Sequence, residues 1–243
     1  MKERANEDCS VHGGWQGGWA WDAVADNLRA AGHDVVAPTL RGLEEGDVDR
    51  AGITLHDMAD DLVRQLDEQG LTDFTLVGHS GGGPVIQIVA DRLRTQVRRV
   101  VFVDAWVLHN GECINDVLPR ELAEAVAAMA AQTPDRTVAI PADMWQATFM
   151  QDAEESTLRD TVSRLVPSPY GWFDQPIQLA RFWTDQPPSS FVFLRGDQAV
   201  PQEIYRAAAA RLTNPRTVDC DGSHEAMLTH PKELAAALQV AIE

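Results

Sequence analysis

The stretch that most constrains this chain is Leu76-Val77-Gly78-His79-Ser80-Gly81-Gly82-Gly83. Thr75 to Val77 read as the end of a strand. Pro84 to Arg94 read as a helix, with Val85, Ile88, Val89 and Leu93 on one face. Between them, Gly-His-Ser-Gly-Gly fits the pattern Gly-x-Ser-x-Gly. A serine hydroxyl is a weak nucleophile until a base takes its proton. A sharp strand-to-helix turn lifts that hydroxyl clear of the sheet and points the next backbone N–H at the reacting carbonyl. Gly78 and Gly82 make room around Ser80 in so crowded a turn. A glycine-rich turn that only packs a helix on a strand could carry the same motif. The strand before, the helix after and two partners downstream favour the nucleophile.

A chain of 243 residues with 44% hydrophobic content can bury a large core as one α/β domain with an insertion. The formal net charge of −17 argues against nucleic acid and anionic membrane surfaces as partners. The expected partner is a small-molecule substrate, and the expected assembly beyond the single chain is a homodimer. Cys9, Cys113 and Cys220 are widely spaced with no CxxC pair, so neither a disulfide framework nor a zinc site is expected. No apolar run approaches the length of a membrane span. Met1-Lys2-Glu3-Arg4 leads into no signal-peptide core, so the expectation is cytoplasmic.

The alternation of strands and helices predicts a parallel sheet of about six strands with helices on both faces. Trp21 to Ala31, a helix opened by Thr54 as N-cap, Pro201 to Leu212 and Pro231 to Ile242 read as helices. His33 to Pro38, Arg99 to Asp104, Phe191 to Leu194 and Arg216 to Cys220 read as strands. Two stretches do not fit easily. Residues 1–11 should supply a central strand, yet Glu7 and Asp8 fall where a doubly buried strand wants apolar residues. The loop with Glu44, Glu45, Asp47 and Asp49 has no metal-ligand spacing and reads as solvated. The core is expected from 1–105 and 190–243. Residues 106–189 break the β–α alternation, are helical over Glu121 to Ala131 and Asp152 to Leu165, and read as a helical cap over the site. About half of the cap's aromatic residues are expected to be plain packing. The residues expected to wall an apolar substrate pocket are Trp15, Trp106, Trp145, Phe149 and Trp172. Trp19 and Trp21 are expected to pack in the core.

A serine nucleophile needs a base within hydrogen-bond reach and an acid that orients the base. His224 follows the last strand after Gly222-Ser223, and Asp197 follows the strand before it. Both fall at the strand ends where open α/β sheets place their sites. Asp104, also at a strand end, is the rival acid; the usual order and loop favour Asp197. His224-Glu225 is not the start of HExxH, because the residue four beyond His224 is Leu228, so no metal is expected. His12 is expected to brace its glycine loop, and His79 is read as the variable position of the motif.

Several stretches together resemble one branch of the α/β-hydrolase superfamily. They are His12-Gly13-Gly14-Trp15-Gln16-Gly17-Gly18-Trp19-Ala20-Trp21, Pro38-Thr39-Leu40-Arg41-Gly42-Leu43, the serine turn, Asp104-Ala105 with Asn110-Gly111-Glu112, Gly196-Asp197, and His224-Glu225-Ala226-Met227-Leu228. The branch is that of bacterial aryl esterases, plant methyl-ester esterases and plant hydroxynitrile lyases. The resemblance implies a six-stranded parallel sheet with a helical cap, the triad Ser80–His224–Asp197, and oxyanion donors at the N–H groups of Gly14 and Gly81. Lyases of the branch carry a threonine after the first-loop histidine and a lysine after the catalytic one. Gly13 here fits the esterases; Glu225 fits neither group, and a carboxylate there should raise the imidazole pKa. Gly81 replaces a bulkier residue and is expected to open space beside the nucleophile.

These readings converge on a cofactor-independent serine hydrolase acting on a carboxylic ester, thioester or lactone of a hydrophobic or aromatic small molecule. The alternatives are a lyase or cyclase using the same triad, and a non-catalytic ligand-binding protein. Epoxide hydrolase and dehalogenase chemistry would want an aspartate at position 80.

Overall fold

Alternating side chains sort the strands into a sheet with two apolar faces. The computed structural model describes residues 6–46 and 49–243; Met1 to Ala5 and Asp47, about which the sequence raised expectations, lie outside them. In chain order the strands are β1 (Glu7–Val11), β2 (Asp34–Val36), β3 (Phe74–His79), β4 (Val97–Val103), the two-residue β5 (Thr137–Val138) and β6 (Ser168–Pro169), β7 (Ser189–Leu194) and β8 (Arg216–Cys220). Six of them form one all-parallel sheet in the order β2-β1-β3-β4-β7-β8. β5 and β6 make a separate antiparallel ribbon.

The helices are α1 (Asp22–Ala30), α2 (Leu55–Glu68), α3 (Gly82–Arg92), α4 (Ile114–Val117), α5 (Arg120–Ala130), α6 (Ala142–Phe149), α7 (Glu155–Arg164), α8 (Gly171–Asp174), α9 (Gln202–Ala210), α10 (Ala226–Thr229) and α11 (Pro231–Ile242). Successive strand residues point to opposite faces. Leu76, Val100, Phe102, Phe191 and Phe193 pack with α2, α3 and α9. Their neighbours Val77, Val101, Val103, Val192 and Leu194 pack with α1 and α11. Trp21 lies in that second layer, and Trp19 packs on its edge under the Arg164 guanidinium. α2 starts with a capping box: Asp57 N–H donates to Thr54 Oγ1 at 3.2 Å, and Thr54 N–H donates to Asp57 Oδ2 at 2.8 Å.

The acids of β1 are accommodated in the sheet. Asp8, in register between Val35 and Thr75, is fully buried and meets His33 Nδ1 at 2.6 Å, with the Arg98 guanidinium 3.9 Å away. Burial raises its pKa, and the His33 and Arg98 partners work against that rise.

Between β4 and β7 the chain makes α4 to α8 and the β5–β6 ribbon. This segment leaves and rejoins the core at one place. Gly111 N–H donates to the Ile177 carbonyl at 2.8 Å, Ile177 N–H to the Glu112 carbonyl at 2.8 Å, and Leu179 N–H to Asn110 Oδ1 at 2.7 Å. Beside that neck, Asp91 of α3 accepts the N–H groups of Ala180, Arg181 and Phe182 at 3.2, 2.6 and 2.6 Å.

Candidate active site

The turn from β3 to α3 holds Ser80 at φ 51°, a left-handed conformation costly for any residue with a Cβ. Its neighbours secure it. Ser80 N–H donates to the Val103 carbonyl at 3.2 Å, and the Ser80 carbonyl accepts from Gly83 at 3.1 Å and Trp106 at 3.2 Å. Gly82 lets the first loop lie against the turn, since a Cβ there would meet the His12 carbonyl at 2.6 Å. His12 braces that loop. Leu40 N–H donates to its Nε2 at 3.0 Å, so the proton sits on Nδ1, which contacts the Gly13 carbonyl at 2.8 Å. Burial lowers the His12 pKa to about 4, which keeps the ring neutral.

The loops after β7 and β8 bring Asp197 and His224 together. Asp197 Oδ2 lies 2.5 Å from His224 Nδ1, and its other oxygen accepts the Ala199 N–H at 2.6 Å. Burial works against a charged imidazole at His224. The Asp197 charge and hydrogen bond, with a contribution from Glu225, outweigh burial and leave the His224 pKa raised. Burial likewise opposes charge on Asp197, but His224 and the Ala199 amide hold its pKa below the usual carboxylate range.

Asp104, the rival acid, makes no such contact. It sits at φ 32°, buried, with Oδ2 accepting the Leu194 N–H at 3.0 Å. Burial and the neighbouring Asp197 carboxylate push its pKa well up. Two adjacent carboxyls cannot both ionise cheaply, so Asp104 stays neutral and Asp197 carries the charge. The Tyr205 hydroxyl lies 3.4 Å from His224 Nδ1, and burial with the nearby carboxylates keeps it a neutral phenol.

Ser80 and His224 both border a cavity of about 220 Å³. Gly14 and Gly81 border it as well, and among the described residues neither N–H has an acceptor. Of the five aromatic residues singled out for a substrate pocket, Trp15, Trp106, Phe149 and Trp172 border the cavity and Trp145 does not. Trp145 is buried behind the wall. Its indole N–H points to Met150 Sδ at 3.0 Å, and its ring packs 4.9 Å from Phe149 and 6.3 Å from Trp15. It backs the lining without forming it. The sequence also missed Phe173, Tyr205 and the inner face of α5 (Leu122, Val126 and Met129). The α5 positions do recur at helical spacing, which shows an apolar face without saying whether a cavity or a core covers it.

The expectation for Gly81 needs correcting too. The space its missing side chain leaves is filled: Trp172 Nε1 donates to the Gly81 carbonyl at 3.0 Å, and a Cβ on Gly81 would lie 2.4 Å from that nitrogen. His79 is more than a variable motif position. Its ring is buried against His224, with centroids 4.5 Å apart. Glu225 is buried beside them, and burial raises its pKa to about 7.

The family model described as the alpha/beta hydrolase family matches residues 11–237. The chain belongs to the α/β-hydrolase family. This α/β-hydrolase is 29% identical to the carbendazim hydrolyzing esterase of Nocardioides sp. (strain SG-4G), over 94% of this chain and 96% of that one. It is 24% identical to salicylic acid-binding protein 2 of Nicotiana tabacum, over 94% of each chain. Among solved structures, an extracellular α/β-hydrolase from a Paenibacillus species superposes with a TM-score of 0.91. That pair is 27% identical over 97% of this chain and 98% of the other, which is described as sharing structural and functional homology with the tobacco protein. The α/β-hydrolase is thus an enzyme of the esterase kind. No helix among its described residues is long and apolar enough to cross a membrane.

Proposed function

We propose that the protein is a cofactor-independent serine esterase in which Ser80, His224 and Asp197 act as a triad on a hydrophobic or aromatic small-molecule ester. The observation that carries this is the 2.5 Å contact between Asp197 and His224 at the rim of the cavity that Ser80 also borders. Ser80 Oγ adds to the ester carbonyl while its proton passes to His224 Nε2. The N–H groups of Gly14 and Gly81 receive the oxyanion. Collapse expels the alcohol, which takes the proton from His224, and leaves an acyl-Ser80. Water then attacks with His224 as base and releases the acid. Asp197 holds the tautomer with the Nδ1 proton. Residues 106–189 serve as the cap, and their apolar lining selects the substrate. The relatives' names, a carbendazim hydrolyzing esterase and a plant methylesterase, put carbendazim and methyl esters among the substrates to try first. Three buried free thiols, Cys9, Cys113 and Cys220, support a cytoplasmic location.

The test is intact mass after exposure to an activated phosphonate, beside Ser80→Ala, with turnover of short aryl and methyl esters. One adduct on the parent, none on Ser80→Ala, and ester cleavage by the parent alone support the reading. Labelling of Ser80 without turnover of any ester, thioester or lactone refutes hydrolysis and favours a lyase or cyclase on the same triad.

A further inference from the structure

A second constellation lies against His224. His79, His224 and Glu225 are all buried, and one ligating atom from each lies within 4.8 Å of the others. Two of the three hold unused polar atoms. Both ring nitrogens of His79 and Oε2 of Glu225 lack a hydrogen bond of good geometry, His79 having only a loose approach to the His224 backbone. The buried Gln16 side chain lies beside the Glu225 carboxyl, and its amide, acting as a hydrogen-bond donor, partly offsets the rise that burial gives the Glu225 pKa. Buried polar atoms are nearly always satisfied, and leaving one unsatisfied costs about 1–3 kcal/mol. Several in one place mark a site whose occupant supplies the missing interactions. The esterase mechanism uses none of His79, Glu225 or Gln16.

The donor set narrows the occupant. Two imidazoles and a carboxylate suit a borderline divalent cation such as Zn²⁺, whereas Mg²⁺ and Ca²⁺ want oxygen ligands. An anion would meet the Glu225 carboxylate. The His79 and His224 rings lie with centroids 4.5 Å apart and inclined at 52°, and one ligating atom of each lies within 4.8 Å of the other and of a Glu225 oxygen. Bonds of about 2.0–2.1 Å set tetrahedral ligand atoms about 3.4 Å apart, so the three side chains would close by roughly 1 Å on binding. His224 also borders the cavity, which gives an ion a way in. Its Nδ1 is committed to Asp197 at 2.5 Å, which leaves Nε2 for the metal.

We propose that His79, His224 and Glu225 form an inhibitory site for a borderline divalent cation, whose binding withdraws the His224 base from Ser80. The inhibition, though not the binding, rests on the role given to His224 above.

The two parts are tested separately. Ser80→Ala protein, which keeps all three ligands, is titrated with Co²⁺ and followed by visible absorption, and with Zn²⁺ by calorimetry. One equivalent should bind, with the absorption of tetrahedral Co²⁺. His79→Gln and Glu225→Gln, each added to that background, should weaken binding by roughly tenfold or more. Crystals of the Ser80→Ala protein soaked in Zn²⁺ should show an anomalous peak bonded by the three residues. Ordered water there instead, or binding that neither variant weakens, overturns the site. Ester turnover by the parent should fall on adding Zn²⁺ and return with EDTA. Stoichiometric binding that leaves turnover unchanged overturns the inhibitory role.

Discussion

A single added methyl at position 81 should unseat a wall of the cavity. In Gly81→Ala the new Cβ would stand 2.4 Å from Trp172 Nε1, 2.8 Å from Cε2 and 2.9 Å from Cζ2. Non-bonded carbon atoms rest about 3.5–4.0 Å apart, so the indole must retreat by roughly 1 Å. The helix carrying it has little freedom to follow, because Gly171 lies so close to residue 53 that a Cβ there would sit 2.2 Å from the Ile53 carbonyl. Retreat also breaks the 3.0 Å bond from Trp172 to the Gly81 carbonyl. Overpacking costs about 1–3 kcal/mol and the lost bond about 1 kcal/mol more. The expected destabilisation is therefore about 2–4 kcal/mol, a large share of a stability of order 5–15 kcal/mol. Urea unfolding measures it: with m near 2 kcal/mol per molar, the midpoint should fall by about 1–2 M at unchanged m. Trp172→Phe removes the indole edge that clashes, so the double variant should be more stable than the sum of the single losses, by about 0.5–3 kcal/mol. A Gly81→Ala midpoint equal to the parent's, or strict additivity with Trp172→Phe, would refute the packing argument.

Three further outcomes follow from the electrostatics. The base form of His224 is neutral and its pKa is raised, so kcat/KM should fall as pH drops, with a midpoint above 6.5; Asp197→Asn should cut turnover by roughly 10³–10⁴-fold. A parent midpoint below 6.5 would count against the Asp197 pairing. For Glu225, the folded pKa of about 7 exceeds the ordinary 4.5, so the unfolded chain releases its proton first. Its contribution should cost about 3 kcal/mol of stability progressively between pH 4.5 and 7 and then level off. Denaturation of Glu225→Gln and parent across that window should show the variant gaining on the parent as pH rises; parallel curves would contradict this. In β1, Asp8→Ala strips His33 of its partner inside the sheet and should cost about 2–4 kcal/mol, whereas Asp8→Val with His33→Leu should regain most of it. Thermal unfolding of the three proteins checks this, and a neutral Asp8→Ala would exclude the pair as a source of stability.

The elements that could be read from the sequence are those whose signals are local. The last strand, Arg216–Cys220, and the closing helix, Pro231–Ile242, fall where pattern and proline placed them. That Ser80, Asp197 and His224 each follow a strand was legible from the local pattern, and the structure brings Asp197 and His224 into contact. Asp8 was illegible because its partners lie at positions 33 and 98, which only sheet pairing brings near. Trp145 and Phe173 show the same limit. Both are aromatic residues of one insertion, yet one backs the wall and the other lines it, as the fold of α6 and α8 decides. The burial of His79 likewise depends on how the first glycine loop closes on the serine turn, where a Cβ on Gly13 would meet the His79 ring at 3.0 Å.

The neck at residues 110–112 and 177–179 has an engineering consequence. Because the chain departs and returns at adjacent points, the intervening segment is a cassette whose replacement leaves the spacing of its anchors unchanged. Loop-closure entropy grows only slowly with length, so a longer or shorter cassette adds little cost once those anchors hold. Most of the cavity wall comes from inside the cassette, whereas Ser80, Asp197 and His224 come from outside it. On the proposed reading, a graft between residues 112 and 177 exchanges most of the wall and leaves Ser80, Asp197 and His224 in the core, provided that it restores the bonds from Trp172 to Gly81, from Glu225 to Phe149 and from Ser223 to Asp152.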